Sequence, residues 1–233
     1  MQKGSIILVM PKNPLLCELV LTYVTSGKYK YDEAALILPH LQWLDADQLV
    51  HKEIGEQELP EPQSLDVMEV IRQKLAVVRA RMPDAERIFI VDDSSSYFEG
   101  FGIHSRLPGP FLKHFSRELS SQQRYELAQL CGKWRGVQPG EERGSKISMI
   151  GLWCKETGEK YFSSQLFGRL VAPRIDCEHR YDAIFVPDGQ PEGQEKTYAE
   201  MTAAEKNAVS HRGKALRKVA EYLKSIGWTF TQP

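Results

Sequence analysis

The sequence predicts an α/β protein with a mixed, partly parallel central sheet flanked by helices, and three observations carry that expectation. Short apolar, β-branched runs at Ile6–Met10, Ala35–Leu38 and Ile88–Val91 alternate with longer stretches of helical periodicity, as strands joined by crossover helices do. From Lys146 the texture changes to that of an antiparallel hairpin, with Ile147–Trp153 and Tyr161–Leu166 around a turn at Thr157-Gly158. A chain of 233 residues that is 42% hydrophobic has the size for one large core.

Taken in order, Ser5-Ile-Ile-Leu-Val-Met10 is too short for a signal-peptide core and is followed by Pro11-Lys12-Asn13, so it reads as a first buried strand. A helix is expected from about Pro14 to Tyr23. In the segment Ser64–Arg81, Val67, Ile71, Leu75 and Val78 recur at spacings of three and four, which gives a helix with one face for the sheet. A further helical region runs from Pro110 to Cys131 with a break near Ser120. Gly136–Gly144 and Gly189–Lys196 are polar and glycine-containing, hence exposed loops, and Ala183–Val186 fits another strand.

The last helical region opens on Thr202-Ala-Ala-Glu205, a capping-box pattern, and its buried stripe of Leu216, Val219 and Leu223 stops at Gly227. Between these lie Ser210, His211 and Arg212. Successive helical residues point about 100° apart, so the three converge on one ligand only if Ser210 starts a new helix. No internal repeat or long linker appears, and residues 1–233 are expected to form a single domain.

The 30 Lys plus Arg against 31 Asp plus Glu give a net charge of -1, which argues against broad binding to nucleic acid or to an anionic membrane. The four cysteines, Cys17, Cys131, Cys154 and Cys177, form no C-x-x-C pair, so a reducing, cytoplasmic setting is expected. No run approaches the ~20 apolar residues of a spanning helix.

Asp92-Asp93 follow the apolar run Arg87–Val91. Carboxylates at the end of a buried strand suit Mg²⁺ and water activation, and equally suit a solvated strand end with Ser94–Ser96 as a turn. Glu61, in Leu59-Pro-Glu-Pro62, is either a further carboxylate ligand on a rigid loop or a surface acid. Lys206, His211 and Arg212 have the chemistry to neutralise phosphate, and a charged helix face predicts the same residues. There is no P-loop, G-x-S-x-G or zinc spacing.

Together these segments resemble the inosine triphosphate pyrophosphatase family. The longest block is Thr197-Tyr-Ala-Glu-Met-Thr-Ala-Ala-Glu-Lys-Asn-Ala-Val-Ser-His-Arg212, which is similar to the family's C-terminal signature. Leu170-Val-Ala-Pro-Arg174, Tyr181-Asp-Ala-Ile-Phe-Val-Pro-Asp-Gly189, Val91-Asp-Asp-Ser94 and Leu107-Pro-Gly-Pro-Phe-Leu-Lys113 follow the family's order. The resemblance implies a two-lobed fold, a homodimer, and Mg²⁺-dependent hydrolysis of the deaminated purine nucleotides ITP, dITP and XTP to a monophosphate and pyrophosphate. It makes Asp93 the general base, Glu61 and Asp93 the metal ligands, Asp92 a catalytic residue supporting the site, Ser94 a substrate-binding residue, and Lys74, Lys113 and Lys206 the phosphate cations. Ser210, His211 and Arg212 would choose the base, with Tyr181 and Asp182 lining its pocket.

Two departures from the family pattern stand out. Its N-terminal phosphate motif, [S/T]-x-N-x-x-K, is matched here to Pro11–Leu16, with Asn13 kept, Leu16 in place of the lysine and Lys12 as a substitute cation. His179-Arg180 replace the family's Phe-Gly, so His179 would stack on the purine. The long spacing from Asn13 to Leu59 implies an insertion around residues 27–51. Two other functions stay open: a pyrophosphatase shifted toward another modified or standard (deoxy)nucleoside triphosphate, and a nucleotide-binding protein that has lost turnover.

Overall fold

The computed structural model describes residues 19–49, 59, 62–83, 85–102, 107–112, 118–175, 177 and 180–228. In chain order these form β1 (Val20–Val24), α1 (Lys28–Ala35), β2 (Gln42–Leu44), α2 (Val67–Arg81), β3 (Arg87–Phe98) and β4 (Pro108–Gly109). There follow α3 (Ser121–Lys133), β5 (Arg143–Cys154), β6 (Gly158–Leu170), β7 (Phe185–Pro187), α4 (Ala203–Val209) and α5 (His211–Ser225). The seven strands make one sheet in the order β2-β1-β3-β5-β6-β7, with β4 on β3. β1 runs parallel to β2 and β3, whereas β3, β5, β6 and β7 are antiparallel neighbours. This is the mixed sheet the sequence predicts.

Strand alternation explains where the core sits. Side chains at successive positions of β3 point to opposite faces, so Ile88 and Ile90 join Leu21, Tyr23, Leu216, Val219 and Leu223 beneath α5. Phe89 and Val91 join Ile71, Leu75, Val78 and Trp153 beneath α2. The expected stripe of α2 is thus buried against the sheet, and a Cβ at Gly151 would meet Ile71 Cγ2 at 2.6 Å, so only glycine lets α2 lie this close to β5. A third cluster, with Phe98, Ala128, Leu170, Tyr181, Phe185 and Tyr198, fills the space below α3.

The boundaries differ from expectation in several places. Residues 20–23, expected at the end of a helix, belong to β1; strands on both sides satisfy its backbone, and Leu21, Tyr23 and Val24 are buried. The expected strand Ala35–Leu38 is the end of α1 and the turn after it, because Ala34 and Leu38, four apart, are the positions that enter the core. Residues 28–44, inside the expected insertion, are α1 and the sheet strand β2. Ser94–Ser96 are not a turn: β3 continues past them, paired with β5 through Phe98. The hairpin is longer than expected, its two strands pairing from Arg143↔Arg169 to Cys154↔Gly158. The break near Ser120 is a capping box, with Ser120 Oγ accepting from Gln123 N at 3.2 Å and Gln123 Oε1 accepting from Ser120 N at 2.8 Å. The expected strand at Ile6–Met10 lies outside the described residues.

Candidate active site

β1 pairs with β3 only as far as Tyr23↔Ile90, while β3 runs on beside β5. Asp92 and Asp93 therefore sit mid-strand, just past the C-terminal end of β1, the edge at which open sheets with parallel strands bind ligands. Alternation sends their side chains to opposite faces. Asp93 turns toward α2, where its Oδ1 accepts from the Lys74 ammonium at 2.9 Å. Lys74, 5% exposed, also approaches the Asp92 carbonyl oxygen at 3.4 Å.

Asp92 turns toward α1 and α5. Its Oδ1 accepts from Lys30 Nζ at 3.1 Å and its Oδ2 from Arg212 Nε at 3.0 Å. The same guanidinium donates from Nη2 to Ser94 Oγ at 3.2 Å and from Nη1 to Glu33. Glu33 also receives Lys206 at 2.7 Å, and Lys206 continues to Asp182 Oδ2 at 2.8 Å. Asp182 Oδ1 ends the line on Lys146 Nζ at 2.6 Å. Four cations, Lys30, Arg212, Lys206 and Lys146, thus alternate with three carboxylates, Asp92, Glu33 and Asp182. The line has one positive charge to spare.

Each ionisation follows from this pairing. Burial raises the carboxyl groups of Asp92 and Asp182, but Lys30 and Arg212 beside the first, and Lys146 and Lys206 beside the second, hold both well below the usual carboxylate range. Glu33 is lowered in the same way, Arg212 and Lys206 outweighing its desolvation. Burial lowers Lys206, yet Asp182 and Glu33 more than reverse it. His211 is pushed well below the ordinary histidine value by burial, with Lys146 and Arg212 adding to the effect, so its ring is neutral. It stacks on Tyr198 with centroids 6.1 Å apart.

The joint between α4 and α5 assembles this face. Thr202 Oγ1 accepts from Glu205 N and Glu205 Oε2 from Thr202 N, closing the predicted capping box of α4. α4 ends at Val209, and Ser210 starts α5 by accepting Gly213 N at 3.0 Å. His211 and Arg212 are consequently the first residues of a new helix, as convergence requires, and Lys206 lies one turn before the joint. Ser210 itself serves as the cap.

Of the residues singled out in the sequence, the structure gathers Lys74, Asp92, Asp93, Ser94, Asp182, Lys206, His211 and Arg212 around this sheet edge. Tyr181 is 2% exposed and packs on Phe98 at 4.6 Å, with Arg124 over its face. Lys12, Asn13, Glu61, Lys113 and His179 lie outside the described residues. Among the described residues, no three His, Cys, Asp or Glu side chains converge as a metal site. Sequence reasoning missed Lys30, Glu33, Lys146 and Tyr198. Lys30 alone had a readable signal, because Thr25-Ser-Gly-Lys-Tyr-Lys30 is a strand–turn–helix segment with Thr and Lys at the spacing of [S/T]-x-N-x-x-K and Gly27 in place of the asparagine.

The model of the Ham1 family matches residues 21–222. The chain belongs to the Ham1 family. The match begins inside β1, not at the N-terminal run Ile6–Met10. Two solved Ham1 proteins share the fold of this Ham1-family chain: that of Coxiella burnetii, with TM-score 0.65 and 18% identity over 88% of this chain and 99% of that one; and that of Staphylococcus aureus, with TM-score 0.62 and 19% identity over 88% and 98%. Among curated relatives, the "Inosine triphosphate pyrophosphatase" of Giardia intestinalis is 33% identical over 171 residues, 70% of this chain and 80% of its own. The "dITP/XTP pyrophosphatase" of Pyrococcus horikoshii is 30% identical over 204 residues, 87% and 95% of the two chains.

Proposed function

We propose that this Ham1-family protein hydrolyses deaminated purine nucleoside triphosphates, ITP, dITP and XTP, to the monophosphate and pyrophosphate. The observation that carries the reading is the gathering of cations at the edge where β3 presents Asp92 and Asp93 to opposite faces of the sheet: Lys74 lies on the Asp93 face, and Lys30, Arg212 and Lys206 on the Asp92 face. A triphosphate brings concentrated negative charge, and pyrophosphate leaves with it, so fixed cations at this edge stabilise the transition state. The names of the curated relatives point the same way.

In this mechanism Asp93 accepts a proton from the water that attacks the α-phosphorus, the bond to the bridging oxygen breaks, and pyrophosphate departs. Asp93, an oxygen donor, fits a hard cation, and Glu61 is the second carboxylate that would hold Mg²⁺ with it. Mg²⁺ held there would supply positive charge against the phosphate oxygens. Lys74, with Lys113, orients the triphosphate, and Asp92 acts indirectly by holding Lys30 and Arg212.

Lys30 takes the part of the family's N-terminal lysine, which removes the need for Lys12, Asn13 and Leu16 in that role. A missing lysine was the reason to consider a protein without turnover. With Lys30 in place that reason disappears. Base choice belongs to the Lys206–Arg212 face with Asp182 and His179: hypoxanthine and xanthine carry an oxygen where adenine carries an amino group, and donors there leave adenine unpaired. A cytoplasmic homodimer that binds neither nucleic acid nor membrane completes the proposal.

Purified protein with Mg²⁺ should release pyrophosphate from ITP and XTP faster than from ATP, and Asp93→Asn should reduce release at least ~100-fold by removing the proton acceptor. Absence of pyrophosphate from every nucleotide tested would end the proposal, as would full activity in the Asp93→Asn protein.

A further inference from the structure

Lys146 has no counterpart among the residues discussed so far as phosphate or base contacts, yet it is the most enclosed cation of the charge line. It projects from β5, where Ser96↔Lys146 and Ser94↔Ser148 are cross-strand pairs, so Lys146 and Ser148 share the face of Ser94 and Asp92. Its side chain is 6% exposed. The ammonium touches Asp182 Oδ1 and lies 4.9 Å from the centroid of Tyr198 and 5.2 Å from that of Phe185. One pleat away, the Ser148 hydroxyl is fully buried and has no hydrogen-bond partner among the described residues. An unpaired buried hydroxyl costs free energy and marks a place where another polar atom belongs. Two donor-bearing side chains from one strand therefore lie on the sheet face that carries Asp92 and Ser94, with Lys146 reaching Asp182.

We propose that Lys146, with Ser148 beside it, is a specificity-determining residue of the base subsite and favours a purine with an oxygen at its 2-position, xanthine, over hypoxanthine and especially over guanine. The inference rests on the function proposed above and deepens it. Hypoxanthine, xanthine and guanine all carry the 6-oxygen, so donors aimed at that atom cannot separate them. They differ at the 2-position, which bears a hydrogen, an oxygen or an amino group respectively. An ammonium has three donors and no acceptor. It pairs with the xanthine oxygen, gains nothing from the hypoxanthine C–H, and opposes the guanine amino group donor to donor.

Xanthine is also the most acidic of the three bases and loses a ring proton near neutral pH, so a positive charge beside it favours it further; burial lowers the Lys146 ammonium, and Asp182 at 2.6 Å works against that lowering. The charged and titratable groups facing Lys146 are Asp182, Lys206, Tyr198, His211 and Arg212. Asp182 divides its two oxygens between Lys146 and Lys206, which fixes Lys146 in place without consuming all of its protons. The same arrangement disfavours GTP, which donors aimed at the 6-oxygen alone would not.

The test is kcat/KM for XTP, ITP and GTP in the wild type, Lys146→Met and Lys146→Arg, with equilibrium binding of xanthosine and inosine monophosphates by calorimetry. The wild type should rank XTP over ITP over GTP. In Lys146→Met the XTP/ITP ratio should fall about tenfold or more and the GTP/ITP ratio should rise, while Lys146→Arg retains the XTP preference. Ratios within one preparation cancel any loss of folded protein. Unchanged ratios in Lys146→Met, or a wild type with no preference for xanthine in either assay, overturn the assignment. Selective binding of xanthosine monophosphate that Lys146→Met abolishes, without pyrophosphate release, supports the subsite and overturns only the proposed function.

Discussion

Lys30 reaches Asp92 from the first turn of α1, whereas Leu16 brings no charge to any site, and the two residues make separable predictions. A charge-assisted hydrogen bond contributes about 1.5–3 kcal/mol. If Lys30 turns to the triphosphate when substrate arrives, Lys30→Met should raise KM for ITP roughly ten- to a hundredfold, with a smaller effect on kcat. Leu16→Lys, which restores the lysine to the motif as placed from sequence, should change KM less than about twofold, because Lys30 already supplies that charge. Steady-state kinetics of both proteins with ITP checks this. A Lys30→Met enzyme with wild-type KM would return the motif to the N-terminal segment. At the same scale, Glu33 shows why some site residues were invisible. Within its helix it is one charged residue among Lys28, Lys30 and Asp32, and only the arrival of Arg212 and Lys206 from the far end of the chain gives it a role.

The joint between α4 and α5 is the element on which the proposed base recognition depends. Gly213 lies against it: a Cβ there would meet the Asn207 carbonyl oxygen at 2.2 Å, a backbone atom that cannot swing aside. Gly213→Ala should therefore lever α5 away from α4 and separate Arg212 from Lys206. Overpacking of this kind costs about 2–3 kcal/mol, or roughly 5–10 °C in Tm for a chain of this size. Loss of kcat/KM should accompany it, because the two cations sit on either side of the joint. Ser210→Ala removes only a cap, about 1 kcal/mol, and should cost less. Thermal unfolding and ITP turnover of the two variants decide the order. This joint was legible in sequence because Thr202, Glu205 and Ser210 are local signals. The N-terminal half was less legible: Val20–Val24 follows leucines at helical spacing, Leu15, Leu16 and Leu19, and only pairing with β2 and β3 makes it a strand. β2 itself is three residues long, with Gln42 and Trp43 exposed, so hydrophobic periodicity had nothing to detect. Lys146 and Tyr198 depend on register across β3, β5 and the last helices, which no local pattern encodes.

Across the whole molecule, the alternating line of buried charges ties β3, β5, α1, α4 and α5 together, and its ionisation makes stability depend on pH with a definite sign. Asp92, Glu33 and Asp182 are held below the usual carboxylate range in the folded protein. Their contribution is complete above the unfolded value of about 4 and is lost as pH falls through the lower folded values. His211 is also depressed, by burial first and then by Lys146 and Arg212. The unfolded chain takes up its proton near pH 6.5 while the folded chain does not, so this loss starts earlier, at about 1.4 kcal/mol per pH unit for one proton. Stability should thus fall in two stages, a shallow one between about pH 6.5 and 5 and a steeper one below. His211→Phe keeps a ring against Tyr198, the neighbour it stacks on, and removes the titrating group among Lys146, Asp182, Lys206 and Arg212. Urea unfolding at pH 7, 6, 5 and 4 should show the first stage flattened in this variant and the second unchanged. Parallel decline of the two proteins between pH 7 and 5 would mean that His211 does not stay neutral in the fold, and the charge balance of the proposed base subsite would have to be redrawn with it as a fifth cation.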